Sequence, residues 1–187
     1  RMTISMPVPD HLLTTLEWSA LAHEPFLHYE LAEGVLVMTP RSSPRHQDVS
    51  VQIAQLLKSQ LGTGWAALVD VEIGLRTGER ATHRAPDVTV VRREVLTANR
   101  PWMVPADALL VVEVVSPGSG NIDRVLKVHE YQCAGIPAYL VVDLEGHELI
   151  GFQLDARGTY VNSFDDPARL TVAGVEVRVG WADLDLD

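Results

Sequence analysis

A hydrophobic run with one carboxylate in its middle, followed by a turn and a helix, constrains this chain most. The stretch is LLVVEVVSPGSGNIDRVLKVHEY, from Leu109 to Tyr131. Its apolar part predicts a buried strand, and the acid inside it, Glu113, needs a partner because an unpaired buried charge is costly. The helix that follows carries Asp123, Lys127 and Tyr131 at four-residue intervals, which places them on one face. This pattern suggests a site rather than a scaffold.

Length and composition favour one folded domain. The chain has 187 residues, enough for a single domain with its own core, with residues 1–9 expected to be a flexible N-terminus. Apolar residues make up 47% and charged residues 21%, which excludes global disorder. The sequence contains no apolar run long enough for a membrane helix and no secretory signal, so we expect a cytoplasmic protein without a membrane partner.

Charge is distributed unevenly along the chain. The net charge of −10 argues against strong nonspecific binding of nucleic acid. Residues 41–127, however, hold 11 Lys and Arg against 9 Asp and Glu. The middle of the chain is therefore its least acidic part, which permits a polyanionic substrate without requiring one.

The hydrophobic periodicity predicts helices alternating with strands. A short helix capped by Asp10 is expected over 10–22, with leucines 13, 16 and 21 inward, and a hairpin turns at Glu33-Gly34. A long helix then carries Val49 and Ile53 on its buried face and ends at Gly62. Strands are expected at 65–76, 85–93, 109–115 and 136–144, a polar loop at 77–84, a loop-like connection at 93–108, a helix at 122–134 ended by Gly135, and hairpin material from 147 to 180. This order indicates an α/β or α+β fold, with a mixed central sheet flanked by helices and C-terminal hairpins.

Three positions with polar or reactive side chains each allow two interpretations of their role. Glu30, in the first hairpin strand, is expected to face solvent, although it could point into a cleft. His46 shares the buried face of the long helix, either as a core-edge histidine or as part of a site. Cys133 is the only cysteine. It excludes an intramolecular disulfide and is expected to be a small buried residue rather than a nucleophile.

Two acids and a lysine form the candidate constellation. Asp87 begins one strand and Glu113 lies inside the next, so their carboxylates can converge on a hard divalent cation such as Mg²⁺. An ammonium from Lys127 would stabilise charge developing on a phosphate or orient a metal-bound water. An ion pair between Glu113 and Lys127 without chemistry satisfies the same pattern. Asp123 and Lys127 also form an ordinary helical pair.

Several segments resemble a known family. YELAEGVLVMTPRSSPRH, RAPDVTVV and LLVVEVVSPGSGNIDRVLKVHEYQCAGIPAYLVVD are similar to the Uma-type endonucleases of the restriction-endonuclease-like PD-(D/E)XK superfamily, over about residues 10–184. The resemblance implies a mixed central sheet flanked by helices. It also implies hydrolysis of DNA phosphodiester bonds with Mg²⁺ or Mn²⁺. By this resemblance Asp87 is the PD aspartate and Glu113 the second acid, together the metal ligands.

One position departs from the superfamily pattern. A lysine is expected two residues after the second acid, where this chain has Val115. The Uma-type family shares this departure, which implies that Lys127 takes the catalytic lysine's role from the following helix. The resemblance also implies residues that line the cleft, support the acids or contact phosphate: Glu30, His46, Asp123, Arg124 and Tyr131.

Three functional hypotheses follow. The first is a metal-dependent DNA endonuclease. The second is a catalytically silent nuclease-like fold that binds nucleic acid or a partner protein, often as a homodimer. The third, a hydrolase of a small phosphorylated metabolite, ranks lowest because the SPGSGN turn lacks the spacing of a phosphate-binding glycine loop.

Overall fold

The computed structural model describes residues 9–21, 27–115 and 122–186. The helices of these ranges are α1 (Thr15–Ala20), α2 (Pro44–Leu61) and α3 (Lys127–Cys133), with a π-helical turn at Ile122–Leu126 directly before α3. Short 3₁₀ turns lie at Arg93–Ala98, Pro105–Asp107 and Trp181–Asp183. The strands are β1 (Leu27–Ala32), β2 (Val35–Pro40), β3 (Trp65–Val69), β4 (Ile73–Arg76), β5 (Thr82–Arg84), β6 (Val88–Arg92), β7 (Ala108–Val114), β8 (Ala138–Asp143), β9 (Glu148–Leu154), β10 (Tyr160–Ser163), β11 (Ala168–Val172) and β12 (Val175–Val179). None of the helices described is both long and apolar enough to cross a membrane.

The chain forms two compact units, residues 1–41 with 74–84 and residues 42–73 with 85–187. That the whole chain is a single domain stays a prediction. The first unit contains a sheet with the order β2-β1-β5-β4. Its hairpin turns at Glu33-Gly34, as predicted, and both residues have positive φ angles, 48° and 84°. A side chain at position 34 would come within 2.8 Å of Leu12 Cβ, so this turn requires glycine.

The second unit is built on a mixed sheet, the central sheet, with the order β10-β9-β8-β7-β6-β3 among the described strands. β7 and β8 are parallel, and the other neighbours are antiparallel. Helix α2 and the β11–β12 hairpin share one hydrophobic core with this sheet. Leu110, Val112 and Val114 of β7 contribute to that core. The intervening Glu113 therefore points to the opposite face, because side chains alternate along a strand.

Helix α2 follows its sequence signals closely. The Ser43 side chain accepts a hydrogen bond from the His46 amide and caps the first turn, and Gly62, with φ 82°, ends the helix. Val49 and Ile53 are buried, as predicted. The strand predictions for β6 to β12 and the loop-like connection before β7 are also confirmed.

The prediction for residues 10–22 is wrong in its start and its buried face. The helix begins after Thr14, because Thr14 and Glu17 form a reciprocal capping box. Within this helix Trp18 is buried and Leu16 is 79% exposed. Leu13, which precedes the helix, is buried as expected.

The single strand predicted over 65–76 is two strands. The chain turns at Asp70, whose φ is 55°, so β3 joins the central sheet and β4 joins the sheet of the first unit. The loop predicted at 77–84 also contains a strand, β5, whose three residues are all buried. The sequence of β5 is polar and therefore predicts a loop. Its arginine, Arg84, is buried because it forms an ion pair with an acid.

Two exposure predictions are also wrong. Glu30 is buried, and its carboxylate lies 2.9 Å from the Arg84 guanidinium. Cys133 is exposed, because it lies two residues beyond the buried Tyr131 and so on the other side of the helix.

The helix predicted over 122–134 is divided into the π turn and α3. Ala134 is the C-cap of α3, and Gly135, with φ 75°, follows it. The predicted SPGSGN turn and most of the predicted flexible N-terminus lie outside the described residues.

Replacing Leu57 by alanine should lower the free energy of unfolding by about 2–5 kcal/mol, because the fully buried side chain would leave a cavity between α2 and the central sheet. Urea unfolding followed by circular dichroism measures this loss. Val51→Ala on the same helix is the control, since Val51 is 40% exposed, and should change stability by less than about 0.5 kcal/mol. Equal losses in the two variants would contradict this packing.

Candidate functional site

The carboxylate of Glu113 is buried in the middle of the central sheet. Its side chain is 5% exposed. Oε1 accepts a hydrogen bond of 2.7 Å from the Tyr131 hydroxyl and lies 2.9 Å from the Lys127 ammonium. Lys127 and Tyr131 come from successive turns of α3, so one helix face provides both groups. The acid on β7 therefore has a neutral donor and a cation as partners.

Asp123 is the second acid in contact with the lysine. Its Oδ1 lies 3.3 Å from the Lys127 ammonium, and the residue is buried in the π turn. From the neighbouring strand β8, the Tyr139 hydroxyl donates a 2.8 Å hydrogen bond to the backbone carbonyl of Asp123. Burial and the charges of Glu113 and Asp123 hold the pKa of Tyr139 well above its ordinary value. Its hydroxyl therefore stays a donor that fixes this turn.

Asp87 lies where the ladder between β6 and β7 ends. Val88 pairs with Val112, and continuing this antiparallel register places Asp87 opposite Glu113 and Pro86 opposite Val114. Proline has no N–H to donate, so it cannot continue the ladder. Side chains take over the polar groups of Val114. Asp87 Oδ2 accepts from its N–H at 2.7 Å, and His46 Nε2 lies 2.7 Å from its carbonyl oxygen.

The contacts of His46 determine which ring nitrogen carries hydrogen. Because the carbonyl of Val114 can only accept, Nε2 must be the donor, and the same nitrogen lies 3.3 Å from Asp87 Oδ2. The other ring nitrogen, Nδ1, is buried without a hydrogen-bond partner in the described part of the chain. Burial alone would lower the pKa of His46, but its bonds to Asp87 and to the Val114 carbonyl raise that pKa above the ordinary value.

The structure brings together most of the side chains that the sequence analysis singled out. Contacts join Glu113, Lys127, Asp123 and Tyr131 around one ammonium, and Asp87 and His46 join the same strand end through Val114. The two remaining candidates bind other partners. Arg124 contacts the carboxylates of Asp143 at 2.5 Å and Glu148 at 2.6 Å, and Glu30 contacts Arg84 within the first unit.

Sequence reasoning missed Tyr139 as part of this arrangement. Its signal was present in the IPAYLVVDL strand, where one hydroxyl lies inside an otherwise apolar run. A buried tyrosine hydroxyl needs a hydrogen-bond partner, so the position required an acceptor nearby. Which acceptor it meets could not be read from the sequence, because the Asp123 carbonyl is 16 residues away along the chain.

The charge balance of the site suits a divalent cation. The Lys127 ammonium contacts the carboxylates of Glu113 and Asp123, and Asp87 lies at the same strand end, so these four groups carry an excess of two negative charges when His46 is neutral. Residues 9–21, 27–115 and 122–186 contain no group of three or more His, Cys, Asp or Glu side chains arranged to hold a metal ion. Mg²⁺ does not require such a group, because one or two carboxylates with waters and substrate phosphates can bind it. Asp87 and Glu113 are the pair that fits this demand.

The family of the chain follows from a match to a family model. The Uma2 model, described as "Putative restriction endonuclease", matches residues 14–185. The chain belongs to the Uma2 family. The recognition made from the sequence motifs is thereby confirmed, and the chain is a member of a family of restriction-endonuclease-like nucleases.

A solved structure supports the fold of this Uma2 chain. A crystal structure described as "a putative nuclease belonging to DUF820" from Anabaena variabilis matches with a TM-score of 0.68 and 13% sequence identity. The match covers 86% of this chain and 89% of the other. A comparison with curated proteins gave no match. The structural likeness confirms the predicted fold class, a mixed sheet flanked by helices.

The Uma2 chain should lose stability as pH rises through the pKa of His46. This pKa is raised in the folded state, so the stabilisation is fully present below about pH 6.5, the ordinary value, and disappears above the folded value. Urea unfolding in a chelator at about pH 6 and about pH 9 measures the loss. His46→Gln removes the titrating group and should flatten the difference. An unchanged difference in that variant would assign the pH dependence to other residues.

Tyr139→Phe should destabilise the protein by about 1–3 kcal/mol, because the Asp123 carbonyl would lose its buried donor. Tyr160→Phe is a matched control, since the Tyr160 hydroxyl also donates to a backbone carbonyl at 2.8 Å, that of Ile136. Thermal and urea unfolding measure both losses. Only Tyr139→Phe should alter the NMR signal of the Lys127 side chain. A signal unchanged by this substitution would show that the hydroxyl does not hold the π turn.

Proposed function

We propose that this Uma2-family chain is a divalent-cation-dependent endonuclease that hydrolyses phosphodiester bonds in DNA. One observation carries the proposal. Continuing the β6–β7 register places Asp87 opposite Glu113, and the buried Lys127 ammonium lies 2.9 Å from the Glu113 carboxylate. A pair of carboxylates with an adjacent lysine suits the chemistry of phosphodiester hydrolysis better than it suits a stable core.

Each residue has a role in this proposal. Asp87 and Glu113 hold Mg²⁺ or Mn²⁺, which when bound makes water a better nucleophile and neutralises charge on the phosphate. The Lys127 ammonium stabilises the charge that develops on the phosphate oxygens or orients the attacking water. Tyr131 fixes the Glu113 carboxylate by its hydrogen bond. His46 fixes Asp87 and the Val114 carbonyl at the strand end.

The charge distribution along the chain indicates which part of it would contact DNA. A net charge of −10 disfavours association with a polyanion. The segment from 41 to 127 carries a small positive excess and also supplies the candidate catalytic residues. We therefore propose that DNA contacts this part of the chain, and that a second copy of the chain or a partner supplies further positive charge.

A catalytically silent, nuclease-like binding module is the second candidate. Its supporting observation is that Lys127 already compensates the charges of Glu113 and Asp123, so the buried acids are satisfied without a metal. This alternative predicts that neither Mg²⁺ nor Mn²⁺ binds the chain. Calorimetric titration with Mn²⁺ therefore separates the two candidates before any nuclease assay is performed.

Asp87→Asn and Glu113→Gln should each reduce nicking of supercoiled plasmid by at least about 10²-fold in Mg²⁺ or Mn²⁺, because each removes a charged oxygen from the cation. Circular dichroism and thermal unfolding check that the fold is kept. Asp48→Asn removes an exposed acid from α2 and should leave the nicking rate unchanged.

Wild-type rates in either site variant would disprove the site assignment. A parallel assay with single-stranded RNA determines which nucleic acid is cleaved. Absence of both nicking and Mn²⁺ binding in the wild-type chain would favour the binding module.

A further inference from the structure

Lysine is rare in this chain, and one of its two lysines is buried. The chain has two lysines, Lys58 and Lys127, and 13 arginines. Lys58 is exposed in the last turn of α2, whereas Lys127 is 6% exposed between two acids. An ammonium is a compact charge on a flexible stem, while a guanidinium is held by its planar fork of donors. A chain that otherwise uses arginine thus has the more mobile cation at this position.

The ammonium of Lys127 contacts the carboxylates of Glu113 and Asp123. It lies 2.9 Å from Glu113 Oε1 and 3.3 Å from Asp123 Oδ1, and both acids are buried. The two partners differ in what else holds them. The Glu113 carboxylate also accepts a hydrogen bond from the Tyr131 hydroxyl, whereas the backbone carbonyl of Asp123 accepts one from the Tyr139 hydroxyl. Asp123 can therefore keep the lysine while Glu113 changes its partner.

We propose that Lys127 is a movable counter-ion, which leaves Glu113 when a divalent cation binds there and is retained by Asp123. The cation itself rests on the proposed function. A divalent cation on the Glu113 carboxylate repels the ammonium, which favours withdrawal of the ammonium from Oε1. Asp123 gives the ammonium a buried anion to which it can withdraw, which offsets the cost of a buried charge. No covalent bond changes in this step, and the proton stays on the lysine.

This arrangement makes Asp123 a positioning residue rather than a metal ligand. Removing the ammonium should strengthen cation binding, because the cation no longer has to displace it. Removing the Asp123 charge should weaken cation binding chiefly when Lys127 is present. A ligand would behave differently, since its loss would weaken binding equally with or without the lysine. The two roles are therefore distinguished by a double-mutant cycle.

The cycle measures Mn²⁺ affinity by electron paramagnetic resonance in the full chain. Lys127→Met should bind Mn²⁺ about tenfold more tightly than wild type, and Asp123→Asn about tenfold more weakly. In the Lys127→Met background, Asp123→Asn should change the affinity by less than about threefold. Asp48→Asn, an exposed acid on α2, controls for the general loss of one negative charge.

A second measurement follows the lysine itself. Biosynthetic labelling with [13Cε]-lysine gives one signal for each lysine, and Lys58→Arg assigns them. Titration with diamagnetic Mg²⁺ should shift the Lys127 signal and leave the Lys58 signal in place. In Asp123→Asn the Lys127 signal should move further toward that of an exposed lysine. Because this titration uses the wild-type chain, it tests the movement of Lys127 even when the Lys127→Met variant does not fold.

The outcomes separate this inference from the function on which it rests. A wild-type chain that binds no Mn²⁺ overturns the proposed cation site, and the movable counter-ion with it. A chain that binds Mn²⁺ while the Lys127 signal stays fixed keeps the proposed function and overturns the movement. Equal weakening by Asp123→Asn in both backgrounds also overturns the inference, because it would make Asp123 a ligand.

Discussion

The ion pair between Lys127 and Glu113 joins helix α3 to strand β7 of the central sheet. Glu113 lies on β7, a central strand, where an unpaired carboxylate would cost several kcal/mol. The ammonium and the Tyr131 hydroxyl satisfy it from α3, which fixes the helix over that face of the sheet. The other face of β7 needs no such compensation, because its side chains pack against α2 in the hydrophobic core. One face of β7 therefore carries the buried acid of the candidate site, and the other face packs in the hydrophobic core.

The proline at position 86 explains why polar groups gather at this strand end. A residue with an N–H could have extended the ladder along Val114. Proline cannot donate to the Val114 carbonyl, and the His46 imidazole donates to it instead. The Asp87 carboxylate accepts from the Val114 N–H. Irregular strand ends leave backbone groups that side chains must satisfy. At such ends a fold can present carboxylates without weakening the interior of its sheet.

Family membership and site geometry support different levels of description. Membership of the Uma2 family gives the nuclease class, and the structural neighbour gives the fold. The roles of Asp87, Glu113 and Lys127 are proposals that rest on the resemblance of their motifs and on the site geometry. With His46 neutral, the charges of these three groups and Asp123 sum to −2, which is the physical reason to favour a divalent cation over a static ion pair. The same contacts also satisfy the buried acids without a metal, which is why cation binding is the decisive observation.

The sequence by itself determined the elements with strong local signals and the residues that share one helix face. Periodicity predicted α2 and β6 to β12, and four-residue spacing aligned Asp123, Lys127 and Tyr131. Other features depended on contacts distant in sequence, so only the tertiary structure decided them. The buried strand β5 reads as a polar loop because its Arg84 is neutralised by Glu30, 54 residues away. The contacts of Asp87 and His46 with Val114 are likewise set by strand register and helix packing, which no local pattern records.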